Sequence, residues 1–146
     1  MSEGSNPRQL VVFTLGAEQY ALPIQDVHEI IRYTEPRTVA SSVGWVRGVI
    51  SLRGRIVPVY DLAARLGVPS ELTEQTKIVI VEAGTETAGV IVDGVEEVLT
   101  VEDDQIEAVP AADTTFIDCI VKIGDRLVIL LKPATIFVGS ESAMAA

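Results

Sequence analysis

The sequence predicts an all-β protein made of two similar small barrels that share a core. Three observations point there. Short runs rich in valine and isoleucine alternate with polar positions at a period of two. Glycine-containing turns separate these runs at close intervals. The two halves of the chain also match one another at a fixed offset. With 146 residues, 48% of them apolar and 22% charged, the chain has enough apolar surface to bury such a core and lacks the composition of a disordered segment.

The first expected strand is Leu10 to Leu15, with Val11, Phe13 and Leu15 on one face; Gly16-Ala17-Glu18-Gln19 turns it into Tyr20 to Leu22. Pro23 suits the first position of a single helical turn carrying Ile24 and Val27. Glu29 to Tyr33 is extended again, and residues 34–44, with Pro36 and Ser41-Ser42, form a loop. A hairpin follows, Val49 to Leu52 and Ile56 to Tyr60 around Arg53-Gly54-Arg55. Asp61 reads as an N-cap, Leu62 to Leu66 as a short helix and Gly67 as its stop. Residues 68–76 are a polar linker containing Pro69. Strands resume at Lys77 to Glu82, Thr87 to Val92 and Val95 to Leu99, with turns at Ala83-Gly84 and Asp93-Gly94. Ile117 to Ile123 and Arg126 to Leu131 form a last hairpin through Gly124-Asp125, and Pro133 opens a short helix through Phe137. Flexible ends are expected at 1–9 and 138–146.

The repeat is specific enough to align. At an offset of 68, Gly16 meets Gly84, Glu18 meets Glu86, Leu22 meets Val90, Val27 meets Val95, Glu29 meets Glu97 and Ile30 meets Val98. Farther on, Arg55-Ile56-Val57 meets Arg126-Leu127-Val128 at an offset of 71. Apolar matches arise easily by chance among strands; glycine and glutamate matches do so less easily. The repeat divides the domain, 10–137, into two intertwined barrel halves of approximately 10–68 and 77–137.

Charge and composition exclude several functions. Lysine and arginine number 11 against 21 aspartate and glutamate, a net charge of −10, which repels phosphate backbones and anionic lipid. A small-barrel nucleic-acid binder needs a basic face with exposed aromatics, and aromatic residues make up 5% of this chain. One cysteine, Cys119, permits no intrachain disulfide and fits a reducing, cytoplasmic compartment. The opening residues MSEGSNPRQ carry no apolar signal region, and the apolar run Leu127 to Leu131 is far shorter than the ~20 residues of a membrane helix. No direct membrane insertion is expected. Nor is a cofactor or metal: His28 is the single histidine and has no thiol near it in sequence, Glu102-Asp103-Asp104 lacks the spacing of a calcium loop, and Gly44, Gly48 and Gly54 form no phosphate cradle. His28 also lacks a partner nucleophile, so no enzyme is expected.

The stretch RGVISLRGRIVPVYDL, Arg47 to Leu62, resembles the signature of the CheW family. Phe13-Thr14-Leu15-Gly16 with Tyr20-Ala21-Leu22-Pro23-Ile24 resembles the family's opening hairpin, Val27-His28-Glu29-Ile30-Ile31 the element after it, and Gly89-Val90-Ile91-Val92-Asp93-Gly94-Val95 the signature of its second half. The resemblance runs in order from Leu10 to Phe137, and it is to the single-domain form, without the receiver domain of the fused CheV form. It implies two five-stranded SH3-like barrels packed together. It also implies a chemotaxis adaptor that joins the cytoplasmic tips of transmembrane chemoreceptors to the regulatory domain of a CheA-type histidine kinase, recruited to membrane arrays through protein contacts. The receptor tip is implied to dock in a groove between the barrels, the kinase on barrel edges. Relatives in pilus motility and other receptor-kinase pathways share these features, so the pathway stays open at this point.

The same resemblance marks candidate receptor-binding residues: Val27, Glu29, Ile30, Gly48, Arg53 and Val90. Each has a plainer reading. Arg53 sits at a turn, where its guanidinium either pairs with a partner carboxylate or braces its own loop. Gly48 serves a bend or bulge as readily as a contact. Val27 and Ile30 lie beside charged residues and either line the groove or fill the core. Glu29 is a groove-rim contact or a solvated acid. Val90 faces the groove from the second half or packs in the core. Trp45 is expected to anchor the core beneath the signature hairpin.

Overall fold

A computed structural model of the chain describes residues 7–39, 44–109 and 116–136. Its elements, in order, are β1 (Arg8–Leu15), β2 (Glu18–Pro23), a 3-10 turn (Ile24–Asp26), β3 (Val27–Arg32), β4 (Val46–Leu52), β5 (Arg55–Asp61), α1 (Leu62–Leu66), β6 (Lys77–Ala83), β7 (Glu86–Val92), β8 (Gly94–Val101), a second 3-10 turn (Asp103–Gln105), β9 (Ile106–Glu107), β10 (Ile117–Ile123), β11 (Arg126–Leu131) and α2 (Pro133–Ile136). Phe137, the Ser41-Ser42 loop and the ends at 1–6 and 138–146 lie outside the described residues. Arg8 and Gln9, expected to be flexible, already belong to β1, where they pair with Val101 and Thr100. Val27 is the first residue of β3 and not part of the helical turn after Pro23.

The strands form two sheets. One has the order β8-β1-β2-β11-β10-β9, the other β3-β6-β7-β5-β4. Each wraps a core of its own. Leu10, Val12, Ala21, Val121, Val128 and Leu130 fill the first; Ile50, Val57, Val59, Ile78 and Ile80 fill the second. The opposite faces of both sheets meet in a third cluster of Phe13, Leu15, Leu22, Val79, Val81 and Val92, closed by Leu62 of α1 and Ile136 of α2. Strands β1, β6 and β7 are thus buried on both sides. That is why their sequences read as continuous apolar runs and not as strict alternation. Each fully buried leucine, isoleucine or phenylalanine contributes about 1.5–3 kcal/mol, so the shared cluster binds the barrels into one body.

The sheets do not follow the two sequence halves. Written as repeats, both sheets have one plan: a third strand, a first hairpin, then the fifth and fourth strands. The first hairpin always comes from the other half. The hairpin β1–β2 lies between β8 and β11, and its counterpart β6–β7 lies between β3 and β5. The register is equivalent as well. Val59 of β5 sits opposite Gly89 of β7, and Leu130 of β11 sits opposite Ala21 of β2, both in parallel pairs. Bulges recur at Arg47 and at Asp118, just before Gly48 and Cys119 and 71 residues apart. Residues 10–68 and 77–137 are therefore not two separately paired units; each half completes its sheet with a hairpin taken from the other. The first sheet also gains the two-residue strand β9, which no sequence signal marked.

The local signals for α1 hold in detail. The Asp61 carboxylate accepts from the Ala64 backbone N–H at 3.0 Å, and Gly67 ends the helix with φ of 77°. Trp45 packs partly buried against the shared cluster, its ring edge-on to Tyr60 at 5.0 Å.

Candidate functional site

The site is built on β3, an edge strand of the five-stranded sheet. A bulge at His28 breaks its pairing with β6, so that Val27 opposes Val81, Glu29 opposes Ile80 and Ile30 opposes Val79. Val79 and Val81 belong to the shared cluster, Ile80 to the interior of the barrel. The bulge therefore puts Val27 and Ile30, three residues apart, on one face. Glu29 goes to the other, beside Ile31. The two apolar side chains differ in depth. Val27 packs against the shared cluster, whereas Ile30 is 40% exposed.

Glu29 is held by Arg53, which stands at the β4–β5 turn. Leu52 pairs with Arg55 across that turn, leaving Arg53 and Gly54 as a two-residue connection with φ of 52° and 82°. Two positive φ values fit the twist of a tight hairpin. Glycine adopts that conformation freely, and an arginine does so at a cost of roughly 1–2 kcal/mol. Arg53 is the one non-glycine residue with positive φ among the described residues. Its guanidinium donates through both terminal nitrogens to Glu29, Nη1 to Oε2 and Nη2 to Oε1, the latter at 2.9 Å. The hydrogen bonds from Arg53 hold the Glu29 carboxyl below its ordinary range, helped by the arginine's charge; the same bonds raise the guanidinium of Arg53. The arginine side chain remains 70% exposed. His28 stands alongside, its Nδ1 3.7 Å from Glu82.

Two expected contact residues are buried. Val90 has no exposed surface and lies within the shared cluster; it opposes Val79 in the middle of the sheet, so it packs the core and cannot meet a partner. Gly48 is buried too, with φ of 146° at the bulge opposite Val59. A methyl group there would stand 2.1 Å from the Arg37 carbonyl oxygen, where Arg37 and Val49 exchange backbone hydrogen bonds of 2.8 and 2.9 Å. Gly48 permits a close backbone approach and presents nothing to a partner.

Sequence reasoning missed the exposed counterparts of Ile30. Val98 on β8 is 52% exposed and opposes the buried Val11. It occupies, on its own edge strand, the place Ile30 has on β3, and the offset of 68 pairs these two residues. Ile56 and Leu127, paired by the offset of 71, are 69% and 52% exposed at the hairpin ends of the two barrels. Their signal was in the alternation, where each is an outward residue beside a buried valine, Val57 or Val128. Among the described residues no cluster of histidine, cysteine, aspartate and glutamate is arranged to hold a metal ion. Glu102 caps the 3-10 turn at Asp103–Gln105 reciprocally with Gln105, and Cys119 is buried, which pushes its thiol up.

Comparison with known proteins covers the whole site. The CheW-like domain family matches residues 9–141. A probable chemotaxis protein CheW from Rhizobium etli is 32% identical, over 94% of this chain and 92% of its own length. The chemotaxis protein CheW of Bacillus subtilis is 34% identical, over 94% of this chain and 91% of its own. The crystal structure of the scaffolding protein TtCheW from Thermoanaerobacter tengcongensis superposes with a TM-score of 0.87 at 35% identity, covering 95% of this chain and 98% of that one. The architecture is that of two SH3-like subdomains.

Proposed function

The chain belongs to the CheW family, and we propose that it joins the cytoplasmic tips of chemoreceptors to the regulatory domain of a CheA-type histidine kinase. Its role is that of a chemotaxis adaptor and scaffold. The work is binding and not catalysis. By holding receptor and kinase together, it lets receptor conformation bias kinase activity, through contacts that multivalency strengthens. No helix among the described residues is long and apolar enough to cross a membrane; in this reading the protein reaches the membrane through the receptor.

The observation that carries the receptor assignment is Ile30. It is an exposed isoleucine on an edge strand, on the face turned toward the shared core, next to the exposed Arg53–Glu29 pair. An apolar anchor flanked by a charged pair suits an amphipathic receptor helix bearing both kinds of side chain. Val98 supplies the equivalent anchor on β8. We assign the kinase to the barrel ends at Ile56 and Leu127.

Calorimetry tests both contacts. The protein is titrated with the kinase regulatory domain and with a receptor-tip fragment, without ATP or Mg²⁺. Saturable heat with each, and loss of receptor heat alone in Ile30→Glu, supports the reading. No heat with either at high micromolar concentration counts against it.

A further inference from the structure

The two barrels treat the same glutamate differently. In the six-stranded barrel Glu97, the equivalent of Glu29, is held by Arg126 at the head of β11, and the Arg126 Nε also donates to Gln19 Oε1 at 2.7 Å. The turn before it needs no side chain: position 124 is a glycine with φ of 61°. In the five-stranded barrel the equivalents are Arg55 for Arg126 and Arg53 for Gly124. Here Glu29 is taken by the turn residue Arg53. The Arg55 side chain is exposed and makes no hydrogen bond or ion pair with any described residue. Arg55 lies on the inward side of β5 with Val57 and Val59, and Glu29 on the inward side of β3 with Ile31. Both project from one end of the barrel, since Arg53, two residues from Arg55, already touches Glu29. The position that holds the glutamate in one barrel is thus filled by an arginine, and left idle, in the other.

We propose that Glu29 has two arginine seats, Arg53 at the turn and Arg55 at the head of β5, and that an acidic group of a partner takes Arg53 while Glu29 moves to Arg55. The partner half rests on the reading of Arg53 as part of the receptor site; the two seats do not. Glu29 occupies the Nη1–Nη2 edge of Arg53, so a partner carboxylate that seats bidentately on that edge displaces it. Without a second cation, Glu29 would then be left as an unpaired negative charge beside the incoming one. Arg55 removes that repulsion.

The test follows the carboxyl carbon of Glu29 by NMR through an acid titration in four proteins: wild type, Arg53→Ala, Arg55→Ala and the double variant. His28, which lies 4.0 Å from Glu29, is common to all four. Two seats require the midpoint to stay depressed in wild type and in both single variants, and to return to the ordinary range near 4.5 only in the double variant. A full return in Arg53→Ala alone overturns the proposal. A second arm measures binding of a receptor-tip fragment. Arg55→Ala should weaken it several-fold, and in a Glu29→Gln background, where nothing needs rehousing, Arg55→Ala should have no effect. An equal loss in both backgrounds overturns the exchange. Unchanged binding of Arg53→Ala removes the partner half, and the titration still decides whether the second seat exists.

Discussion

Trp45 and Phe116 stand at equivalent places in the two barrels, 71 residues apart, and both rings stack on one guanidinium, that of Arg65. The distances are 4.5 Å and 4.8 Å. Their backbones are used alike as well: the Trp45 carbonyl accepts from Asp61 N–H at 2.7 Å, and the Phe116 carbonyl from Lys132 N–H at 2.8 Å. Arg65 adds a bond of its own, from Nε to the Ile136 carbonyl at 3.2 Å. The side chain thus ties α1 to the end of α2 and to the start of β10.

Removing that tie gives the first prediction. Arg65→Met keeps the aliphatic stem and loses both cation–π contacts, so unfolding should occur about 1–3 kcal/mol more easily. Trp45 is the one tryptophan in the chain, and its emission reports the stack directly. The variant should shift the emission of the folded protein, and Arg65→Lys should fall between it and wild type. Unchanged emission in both would mean that the stack is not formed in solution.

Ile30 and Val27 should separate surface from core. Ile30→Glu changes an exposed residue, so stability should stay within about 1 kcal/mol of wild type, while receptor docking loses about 1–3 kcal/mol. Val27→Glu buries an unpaired charge against the shared cluster and should cost several kcal/mol of folding stability. Thermal melts beside receptor and kinase titrations distinguish the two. Equal damage to stability in both variants would return Ile30 to the core.

Gly48→Ala should act on the fold alone. The added methyl meets backbone at 2.1 Å, and either the bulge or the Arg37–Val49 bridge must give way, at about 3 kcal/mol or more. Urea denaturation would show a lower midpoint. Both partners should then be lost in proportion to the unfolded fraction. Normal stability with selective receptor loss would make Gly48 a contact after all.

The Arg53–Glu29 pair carries a pH signature. The folded carboxyl titrates below its ordinary value of 4.5. Its contribution to stability is therefore present above that value and is lost as the pH falls through the folded one. Glu29→Gln should be less stable than wild type near neutral pH, and the gap should close in acid. Both groups are at the surface, so added salt should narrow it as well. A gap that is constant with pH would place the stabilisation outside this ion pair.

Much of the fold was legible because local chemistry decided it. Asp61 and Gly67 bound α1 as capping rules require, and the last hairpin begins and ends where alternation put it. The 68-residue match proved to be a true structural equivalence, with Gly16 and Gly84 both in turns at positive φ. Which hairpin pairs with which sheet was not legible. That depends on contacts more than 60 residues apart, such as Gln19 with Val128, which no local pattern encodes. The site was legible in part. Glu29 and Arg53 came together and Ile30 reached the surface. Val90 and Gly48 went inside, because a glycine at a bulge and a valine in a doubly buried strand look the same in sequence whether they meet a partner or the core. Val98 was visible only as the mate of Ile30 in the repeat.

The exchanged hairpins also fix when the protein can fold. As the chain leaves the ribosome, β1 and β2 emerge first, yet their outer neighbours are β8 and β11. Until Leu131 is available, a bare two-stranded ribbon must wait with both long edges unpaired, the arrangement most open to association with other chains. Contacts this distant in sequence make for slow folding. Refolding should therefore be rate-limited by the docking of the β1–β2 hairpin, and a chain stopped in the linker at 68–76 should yield an aggregating fragment, recoverable only if the missing half is supplied in trans.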